Sequence, residues 1–298
     1  MRTMFVRMNK AEYVFRPQQL FKRLMSGSKQ QEEICKLPWG HDLKVKVQDN
    51  IGKAVLNLGV YDLVVSETLA RIAKLAPKDS ILVDAGANIG HMSSILNFFS
   101  PITNKIFSYE PHPLVFKQLS ENINYWSSKN KSIAINKALS ESKGQCDFYI
   151  PSGFDGNQGL GFIASKTNEH LLSTSQVLAK VDMTTLDEEY AGKIIHLIKI
   201  DTEGSELLVL KGGQKLMDQK KIHNIVFEDH ELYPTPLMTF LENNGFTLFA
   251  LQRGLFGPKI APASENIKET WEPNSFLATL YPNEISSVMK RKGWIVLS

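Results

Sequence analysis

The chain has 298 residues, of which 43% are hydrophobic and 22% charged, with a formal net charge of +3. No apolar run approaches the roughly 20 residues needed to cross a bilayer, and the N-terminus lacks the apolar core of a signal peptide. The two cysteines, Cys35 and Cys146, suggest no disulfide framework. We therefore expect a cytoplasmic protein without a transmembrane segment, long enough for one large or two small domains.

Positive charge is concentrated at the N-terminus. Residues 1–53 hold eleven Lys and Arg against five Asp and Glu, a net charge of +6. We interpret them as a basic extension in front of a domain formed by residues 54–298. A basic stretch such as 16–23 suits peripheral contact with an anionic lipid surface, an anionic glycan or RNA. A solvated arm is the interpretation that we favour.

The first elements precede the domain core. Gln18–Met25 is a short amphipathic stretch, and Leu43–Val47 alternates apolar and charged residues like a half-exposed strand. A helical pattern occupies Val60–Leu75, and Pro77 closes it.

Strands and helices alternate regularly from residue 80 onward, which indicates a parallel sheet covered on both faces. Strands are predicted at Ser80–Ala85, Lys105–Tyr109, Ser132–Lys137, His196–Ile200 and Asn224–Phe227. Helices are predicted at His91–Phe99, Pro113–Trp126, Ser205–Gln219 and Pro236–Asn244.

The first of these strands ends in a turn of small residues, VDAGANIG at 83–90. Gly86 and Gly90 let a ligand approach the backbone, and the helix that follows offers free N–H groups. The second strand delivers Glu110 to the position where a ribose diol would bind. Dinucleotide sites use Gly-x-Gly-x-x-Gly instead, and Asp84 would repel a phosphate while favouring an amine or a sulfonium. The pattern predicts S-adenosylmethionine as cofactor; a structural βαβ turn is the alternative.

Residues 141–195 interrupt the alternation. They contain glycine-rich turns at Gly153–Gly161 and an alternating strand at Gln176–Met183. We predict a small β insertion that overhangs the cofactor and shapes the acceptor pocket.

Two runs complete the pattern, Phe246–Leu251 and Phe276–Tyr281, without a long helix between them. They are predicted to pair as an antiparallel hairpin at the sheet edge. This ending is typical of S-adenosylmethionine-dependent methyltransferases and argues against a nicotinamide dehydrogenase.

Carboxylates cluster after the fourth strand. Asp201 ends the strand, Glu203 lies in the turn, and Glu206 lies in the first turn of the helix. Adjacent carboxylates raise one another's pKa, which can tune a general base. Helix-dipole compensation explains Glu206 as well as catalysis does. Asp201 either grips the cofactor amine or orients the acceptor.

The fifth strand ends in Glu228, Asp229 and His230, beside Asp201 if the strand order holds. His230 is one option for the base, since imidazole titrates near neutral pH. A divalent ion held by Asp201 with Glu228 or Asp229 is a second option, which we do not predict.

Several segments together resemble the FkbM-type methyltransferases over roughly residues 37 to 251. They are LPWG at Leu37–Gly40, IGKAVLNLGVYD at Ile51–Asp62, VDAGANIG at Val83–Gly90, YEPHP at Tyr109–Pro113, VDMTTLDEE at Val181–Glu189, IKIDTEGSELLVLKGG at Ile198–Gly213 and FEDH at Phe227–His230. The chain departs from the family at His91, where an aromatic residue is common.

The resemblance implies an α/β, Rossmann-like class I methyltransferase fold that transfers a methyl group from S-adenosylmethionine to an oxygen. Family members act on hydroxyls of sugars, glycans and polyketides. By position, Gly86, Asn88 and Gly90 match the cofactor loop, Glu110 the ribose-binding acid, and Asp201 the acid at the tip of strand four.

We therefore predict methyl transfer to a sugar hydroxyl of a glycan, glycolipid or nucleotide-sugar, with no DNA partner. The alternatives are a methyltransferase that acts on RNA or protein, guided by the basic N-terminus, and a non-catalytic binding module. The predicted cofactor-binding residues are Asp84, Gly86, Asn88, Gly90, Glu110, Pro111, Ala138 and Asp201. The predicted catalytic residues are Asp201, Glu203 and His230.

Overall fold

The structure is a computed structural model. It describes residues 10–25, 31–127, 131–152, 161–165, 168–265 and 274–298. The first nine residues of the basic extension and most of the glycine-rich turn predicted at Gly153–Gly161 lie outside these ranges. Within them, no helix combines the length and the apolar character required to span a bilayer.

The N-terminal part contributes to the main core. Its elements are α1 (Ala11–Phe15), α2 (Gln18–Met25), β1 (Glu32–Lys36), β2 (Asp42–Lys46), α3 (Asn50–Leu58) and α4 (Leu63–Leu75). Strands β1 and β2 form an antiparallel hairpin. Leu43 and Val45 on β2 are fully buried in the same apolar cluster as Leu69 on α4. The described part of the extension is thus packed against the domain, and the predicted division at residue 53 falls inside α3.

Helix α3 was not predicted, and Gly52 is the reason. Glycine is a poor helix former, so it weakens the helical pattern of this stretch. A Cβ at Gly52 would overlap the carbonyl oxygen of Lys46. The missing side chain therefore lets α3 pack directly on the end of β2.

The remaining elements follow the predicted alternation. From the first core strand to the insertion they are β3 (Ile81–Ala85), α5 (His91–Phe99), β4 (Lys105–Tyr109), α6 (Pro113–Trp126), β5 (Ser132–Ile135), β6 (Ala138–Leu139), β7 (Gly144–Pro151), β8 (Phe162–Ile163), β9 (Ser175–Thr184) and α7 (Leu186–Glu189). They continue with β10 (Ile195–Ile200), α8 (Glu206–Lys211), α9 (Gln214–Asp218), β11 (Ile222–Asp229), α10 (Pro236–Asn243), β12 (Thr247–Arg253), β13 (Pro258–Pro262), β14 (Asn274–Thr279) and α11 (Pro282–Met289).

The central sheet has eight strands in the order β13-β12-β14-β11-β10-β3-β4-β5. Neighbouring strands from β11 to β5 are parallel, and β14 pairs antiparallel with both β11 and β12. The predicted mostly parallel sheet with an antiparallel end is confirmed. The end is larger than predicted, because β13 adds an edge strand and β14 lies between β12 and β11.

Side chains of the parallel strands alternate between two buried layers. Leu82, Leu197 and Val226 face the cluster that contains α4 and α5. Val83, Ile198 and Ile225 face the cluster on the other side of the sheet. Every residue of β10 is buried, although the strand contains Lys199.

Two predicted elements differ from the observed ones: one helix is divided in two, and one strand is shorter. The single helix expected over Ser205–Gln219 is divided into α8 and α9 at Gly212 and Gly213. A Cβ at Gly212 would overlap the carbonyl oxygen of Ser140, so close packing accounts for the break. The strand expected over Ser132–Lys137 ends at Ile135, where the chain leaves for a second sheet.

The second sheet is the predicted β insertion. Its described residues form four strands in the order β6-β9-β7-β8, which enclose a small core around Phe148, Ile163 and Val181. The strand predicted at Gln176–Met183 is confirmed within β9.

A buried ion pair fastens the C-terminal segment to α4. The Nε of Arg71 donates to Glu67 at 2.6 Å, and its other nitrogens donate to the carbonyl oxygens of Arg291 and Gly293 at 2.7 Å each. Glu67 also accepts the backbone N–H of Val296 at 3.1 Å. The pair therefore satisfies backbone groups of the last turn as well as itself.

We expect the substitution Arg71→Met to lower the free energy of unfolding by about 3–5 kcal/mol, because it leaves the Glu67 carboxylate buried without its counter-charge and several carbonyls without donors. Urea unfolding followed by circular dichroism measures the loss. The control is Lys143→Met, which removes an exposed pair with Glu188 and should leave the free energy of unfolding nearly unchanged. Equal losses in the two variants would contradict this account.

Candidate active site

A cavity opens at the carboxyl ends of β3, β4, β10 and β11. The start of α4 and the insertion sheet supply its remaining walls. Its lining includes Tyr61, Gly86, Asn88, Glu110, Pro111, Lys137, Ala138, Phe148, Phe162, Lys199, Asp201, Glu203 and Glu228. The structure thus brings together most of the residues predicted from the glycine turn and the acidic cluster.

Gly86 gives this cavity an open backbone wall. Its φ of +75° lies in the left-handed region, and a Cβ there would overlap the carbonyl oxygen of Asp201. The next turn residue, Asn88, also has a positive φ of +50°. Only a residue without a side chain allows the turns after β3 and β10 to lie this close.

Glu110 is fixed next to the turn after β3, at the end of the neighbouring strand β4. The backbone N–H groups of Asn88 and His112 each donate to its carboxyl oxygens at 2.9 Å. The residue is 7% exposed, and burial raises the pKa of its carboxyl to about 7. Pro111 and Ala138 line the cavity as well. The carboxyl is therefore held rigidly in the wall of the cavity.

Asp84 and Gly90 do not line the cavity. Asp84 is fully buried and accepts a hydrogen bond from the hydroxyl of Ser93 at 2.5 Å. Its other neighbour is Lys199, whose Nζ lies 3.8 Å from the carboxylate. The cation that we expected a ligand to bring to Asp84 is thus a lysine of the protein, and this corrects the expectation of direct contact.

Gly90 serves packing rather than contact with a ligand. It precedes α5 with a φ of +92°, and a Cβ would lie 2.9 Å from the side chain of Leu119 on α6. The glycine therefore lets α5 and α6 approach each other.

Lys199 is the site residue that the sequence analysis missed. Its buried Nζ donates to the Asp201 carboxylate at 3.0 Å and to the Gly86 carbonyl at 3.2 Å. The neighbouring carboxylates of Asp201 and Asp84 raise its pKa, in opposition to burial, which is the largest single influence and lowers it. The available signal was a charged residue inside the apolar strand IHLIKI, two positions before Asp201 and so on the same face.

The acids after β10 have different roles. Asp201 lines the cavity and is paired with Lys199. Glu206 accepts hydrogen bonds from the N–H groups of Thr202 and Gly204 at 2.8 and 3.2 Å. Glu206 therefore holds the turn, as the non-catalytic interpretation of this residue expects.

Glu203 lines the cavity from the tip of this turn, with a φ of +52°. Its carboxyl makes no hydrogen bond to another described residue. Burial, followed by the charges of Asp201 and Glu206, raises its pKa to about 7. This environment suits a group that exchanges a proton near neutral pH.

We expect the substitution Glu203→Gln to stabilise the protein in alkaline but not in acidic solution. The folded pKa of about 7 exceeds the usual 4.5, so the ionised carboxyl opposes folding, with full effect above pH 7 and none below pH 4.5. After allowance for partial exposure, the gain near pH 8 is about 1–2 kcal/mol. Urea unfolding at acidic and alkaline pH measures it, with the exposed Glu141→Gln as control; a gain independent of pH would contradict the argument.

The three residues at the end of β11 and just after it differ in their positions relative to the cavity. Glu228 lines the cavity, but Asp229 turns away and accepts from the Thr235 hydroxyl at 2.7 Å and the Glu231 N–H at 3.0 Å. His230 is exposed and outside the cavity lining, so the structure does not support its expected role as base. Among the described residues, no group of three or more His, Cys, Asp or Glu is arranged to hold a metal ion. The optional ligand set with Asp229 is not assembled.

The insertion is tied to the acidic turn. The amide of Asn168 donates to the carbonyl oxygens of Ile163 and Glu203 at 2.9 and 3.1 Å. The hydroxyl of Ser165 donates to the carbonyl of Gly204 at 2.7 Å. The insertion therefore both covers the cavity and supports one of its acids.

Taken together, the reversed strands at the sheet edge, the glycine turn after β3 and the buried acid after β4 define a class I methyltransferase fold. The resemblance noted from the sequence motifs is confirmed, because a profile of the methyltransferase FkbM domain matches residues 84–248. The chain belongs to this family of methyltransferases.

Curated relatives carry methyltransferase names. The chain is 26% identical over 220 residues to the methyltransferase sdnD of Sordaria araneosa, covering 63% of this chain and 82% of that protein. It is 28% identical over 157 residues to the hexuronic acid methyltransferase AglP of Haloferax volcanii, covering 52% of this chain and 58% of that protein. A solved O-methyltransferase from Thermotoga maritima aligns with a TM-score of 0.43 at 13% identity, over 83% and 77% of the two chains. The assignment of the fold rests on the strand order and not on this likeness.

Proposed function

We propose that the protein transfers a methyl group from S-adenosylmethionine to a hydroxyl oxygen of a sugar, in a glycan, glycolipid or nucleotide-sugar. The observation that carries the proposal is a single cavity with two chemically different ends. Glu110 after β4 and the backbone of Gly86 after β3 suit an adenosine-containing ligand. Toward β10 and β11, Glu203 and Glu228 offer carboxyls that accept no hydrogen bond from the described residues.

The residues at the first end fit the cofactor. The carboxyl of Glu110 is fixed for a ribose diol, and the backbone of Gly86 lines the cavity in the neighbouring turn. The acids of the cavity exceed its lysines in number, which favours a cationic sulfonium over a phosphate. S-adenosylmethionine would supply a methyl group that is already activated, so the protein has to orient the acceptor and remove its proton.

The second end supports a sugar acceptor. Carboxyl groups accept hydrogen bonds from hydroxyls, and Glu203 and Glu228 present two of them to the cavity. The name of the relative from Haloferax volcanii points to the same substrate class. The other predicted acceptors, RNA and protein, rested on the basic N-terminus, and no contact of the described residues favours them.

Calorimetric titration with S-adenosylhomocysteine tests the cofactor half of the proposal, with NAD as the control ligand. Micromolar binding of the first and none of the second is the expected result. Release of S-adenosylhomocysteine in the presence of neutral glycosides and hexuronates, with and without Mg²⁺, then tests the acceptor. A folded protein that does not bind S-adenosylhomocysteine would overturn the proposal.

A further inference from the structure

Acids around the cavity fall into two groups according to their hydrogen bonds. The carboxyls of Asp84, Glu110, Asp201, Glu206 and Asp229 each accept at least one hydrogen bond from the protein. The carboxyls of Asp49, Glu203 and Glu228 accept none from the described residues, although all three line the cavity. Asp49 precedes α3, outside the central sheet, so Glu203 and Glu228 are the two such acids at the ends of the core strands. Their hydrogen-bonding capacity therefore remains available to a ligand.

Glu228 occupies the more rigid position of these two acids. It belongs to β11 and pairs with Ser275 on β14, whereas Glu203 lies in a turn. Strands β10 and β11 are parallel, and Ile200 lies opposite Phe227. The next residues, Asp201 and Glu228, are therefore neighbours at the carboxyl ends of the two strands. A carboxyl held on a strand in the middle of the sheet can be placed accurately against a substrate.

We propose that Glu228 is the general base of the methyl transfer, and this inference rests on the proposed function. As the acceptor oxygen bonds to the methyl carbon, the sulfur–methyl bond breaks and its electron pair stays on sulfur as the neutral thioether. The hydroxyl proton passes from the acceptor to a carboxyl oxygen of Glu228, which becomes a neutral acid. Solvent then removes this proton, so atoms and charges balance over one turnover.

The other candidates for the general base are less well placed or are already hydrogen-bonded. Asp201 is already hydrogen-bonded to the ammonium of Lys199, which makes its oxygens poorer proton acceptors. His230 lies outside the cavity. Glu203 provides a second contact for the acceptor, because its carboxyl can accept a hydrogen bond from a neighbouring hydroxyl of a sugar.

The surroundings of Glu228 favour its role as proton acceptor. Burial is the main cause that raises the pKa of its carboxyl, and nearby acids raise it further. The groups that face it from the neighbouring elements are Tyr61, Asp62, Lys199, Asp201 and Glu203. Only Lys199 among them opposes the effect, and its charge is shared with Asp201. The affinity of Glu228 for a proton is therefore high for a carboxylate.

Sinefungin provides a test that needs no acceptor. In this analogue an amine replaces the methyl-sulfonium, so a base positioned beside the transferred methyl group forms an ion pair with it. We expect Glu228→Gln to weaken sinefungin binding about tenfold and to leave S-adenosylhomocysteine binding within twofold. The preference for sinefungin over S-adenosylhomocysteine should rise with pH up to about pH 9 in the wild type, because the surroundings of Glu228 raise the pKa of its carboxyl to about 9, and should stay flat in the variant. Glu231→Gln, on the exposed surface after the same strand, is the matched control.

Calorimetry gives the affinities, and circular dichroism confirms that the variants are folded. The variant Glu228→Asp keeps the charge and should therefore retain part of the preference for sinefungin over S-adenosylhomocysteine. With an identified acceptor, Glu228→Gln should lower kcat at least about 100-fold and leave KM within about threefold. An unchanged preference for sinefungin, or retained kcat, would overturn the role of Glu228 while leaving the cofactor assignment intact. Failure of the wild type to bind S-adenosylhomocysteine would overturn the proposed function and this inference together.

Discussion

Replacement of Glu110 by Ala should abolish measurable S-adenosylhomocysteine binding. The substitution removes a carboxylate that is aligned with a ribose diol, and two charge-assisted hydrogen bonds are worth about 3 kcal/mol, or roughly 100-fold in affinity. It also leaves the N–H groups of Asn88 and His112 without their acceptor. Loss of order in the turn therefore adds to the loss of the direct contact.

Isothermal titration of Glu110→Ala, Glu110→Gln and wild type measures this effect. The control is Glu141→Ala, since this exposed residue lies outside the cavity lining. We expect the Gln variant to retain intermediate affinity, because its amide oxygen can accept one of the two backbone N–H groups. Affinity in Glu110→Ala within about threefold of wild type would show that the adenosine end of the cavity lies elsewhere.

The substitution Gly86→Ala should lower both the free energy of unfolding and the affinity for S-adenosylhomocysteine. The substitution Gly192→Ala serves to distinguish backbone strain from steric overlap as the cause. Both glycines have a φ of +75°, but a Cβ at Gly86 would overlap the Asp201 carbonyl, whereas nothing lies within 4 Å of one at Gly192. The Gly192 variant therefore reports backbone strain alone, about 1 kcal/mol. The Gly86 variant adds displacement of the turn after β10, and we expect at least twice that loss together with a fall of at least about tenfold in S-adenosylhomocysteine affinity.

Urea unfolding and calorimetry on the same preparations provide the comparison. Losses of equal size in the two variants would show that the turns after β3 and β10 can separate without consequence. Their contact would then have no part in shaping the cavity.

Most of the fold follows from local patterns in the sequence. Strand β4 and helix α6 were predicted with their observed bounds, and β10 was recognised because buried parallel strands are mostly apolar runs. The pattern is weaker where glycine replaces an apolar residue, which hid α3 and the break between α8 and α9. Strand β13 escaped prediction because an edge strand needs only one buried face.

Site residues could be predicted where they belong to one short sequence motif. They were harder to predict where two residues distant in the sequence interact in the folded structure. Glu110 and Gly86 follow directly from the strand–turn–helix pattern. The pairing of Asp84 with Lys199 depends on β3 and β10 being neighbours, which a sequence does not specify by itself. The same applies to His230: the residue follows a strand end, but the chain turns outward there, so proximity along the sequence does not place it in the cavity.

The hydrogen bonds of Ser165 and Asn168 set a rule for building chimaeras. Loops that cover an active site are natural segments to exchange between relatives when the substrate range is to be altered. Here the covering segment also supplies donors to the backbone of Glu203 and Gly204. A graft that replaces residues 141–195 must therefore carry an amide and a hydroxyl at these two positions, or it will misplace an acid that the recipient contributes.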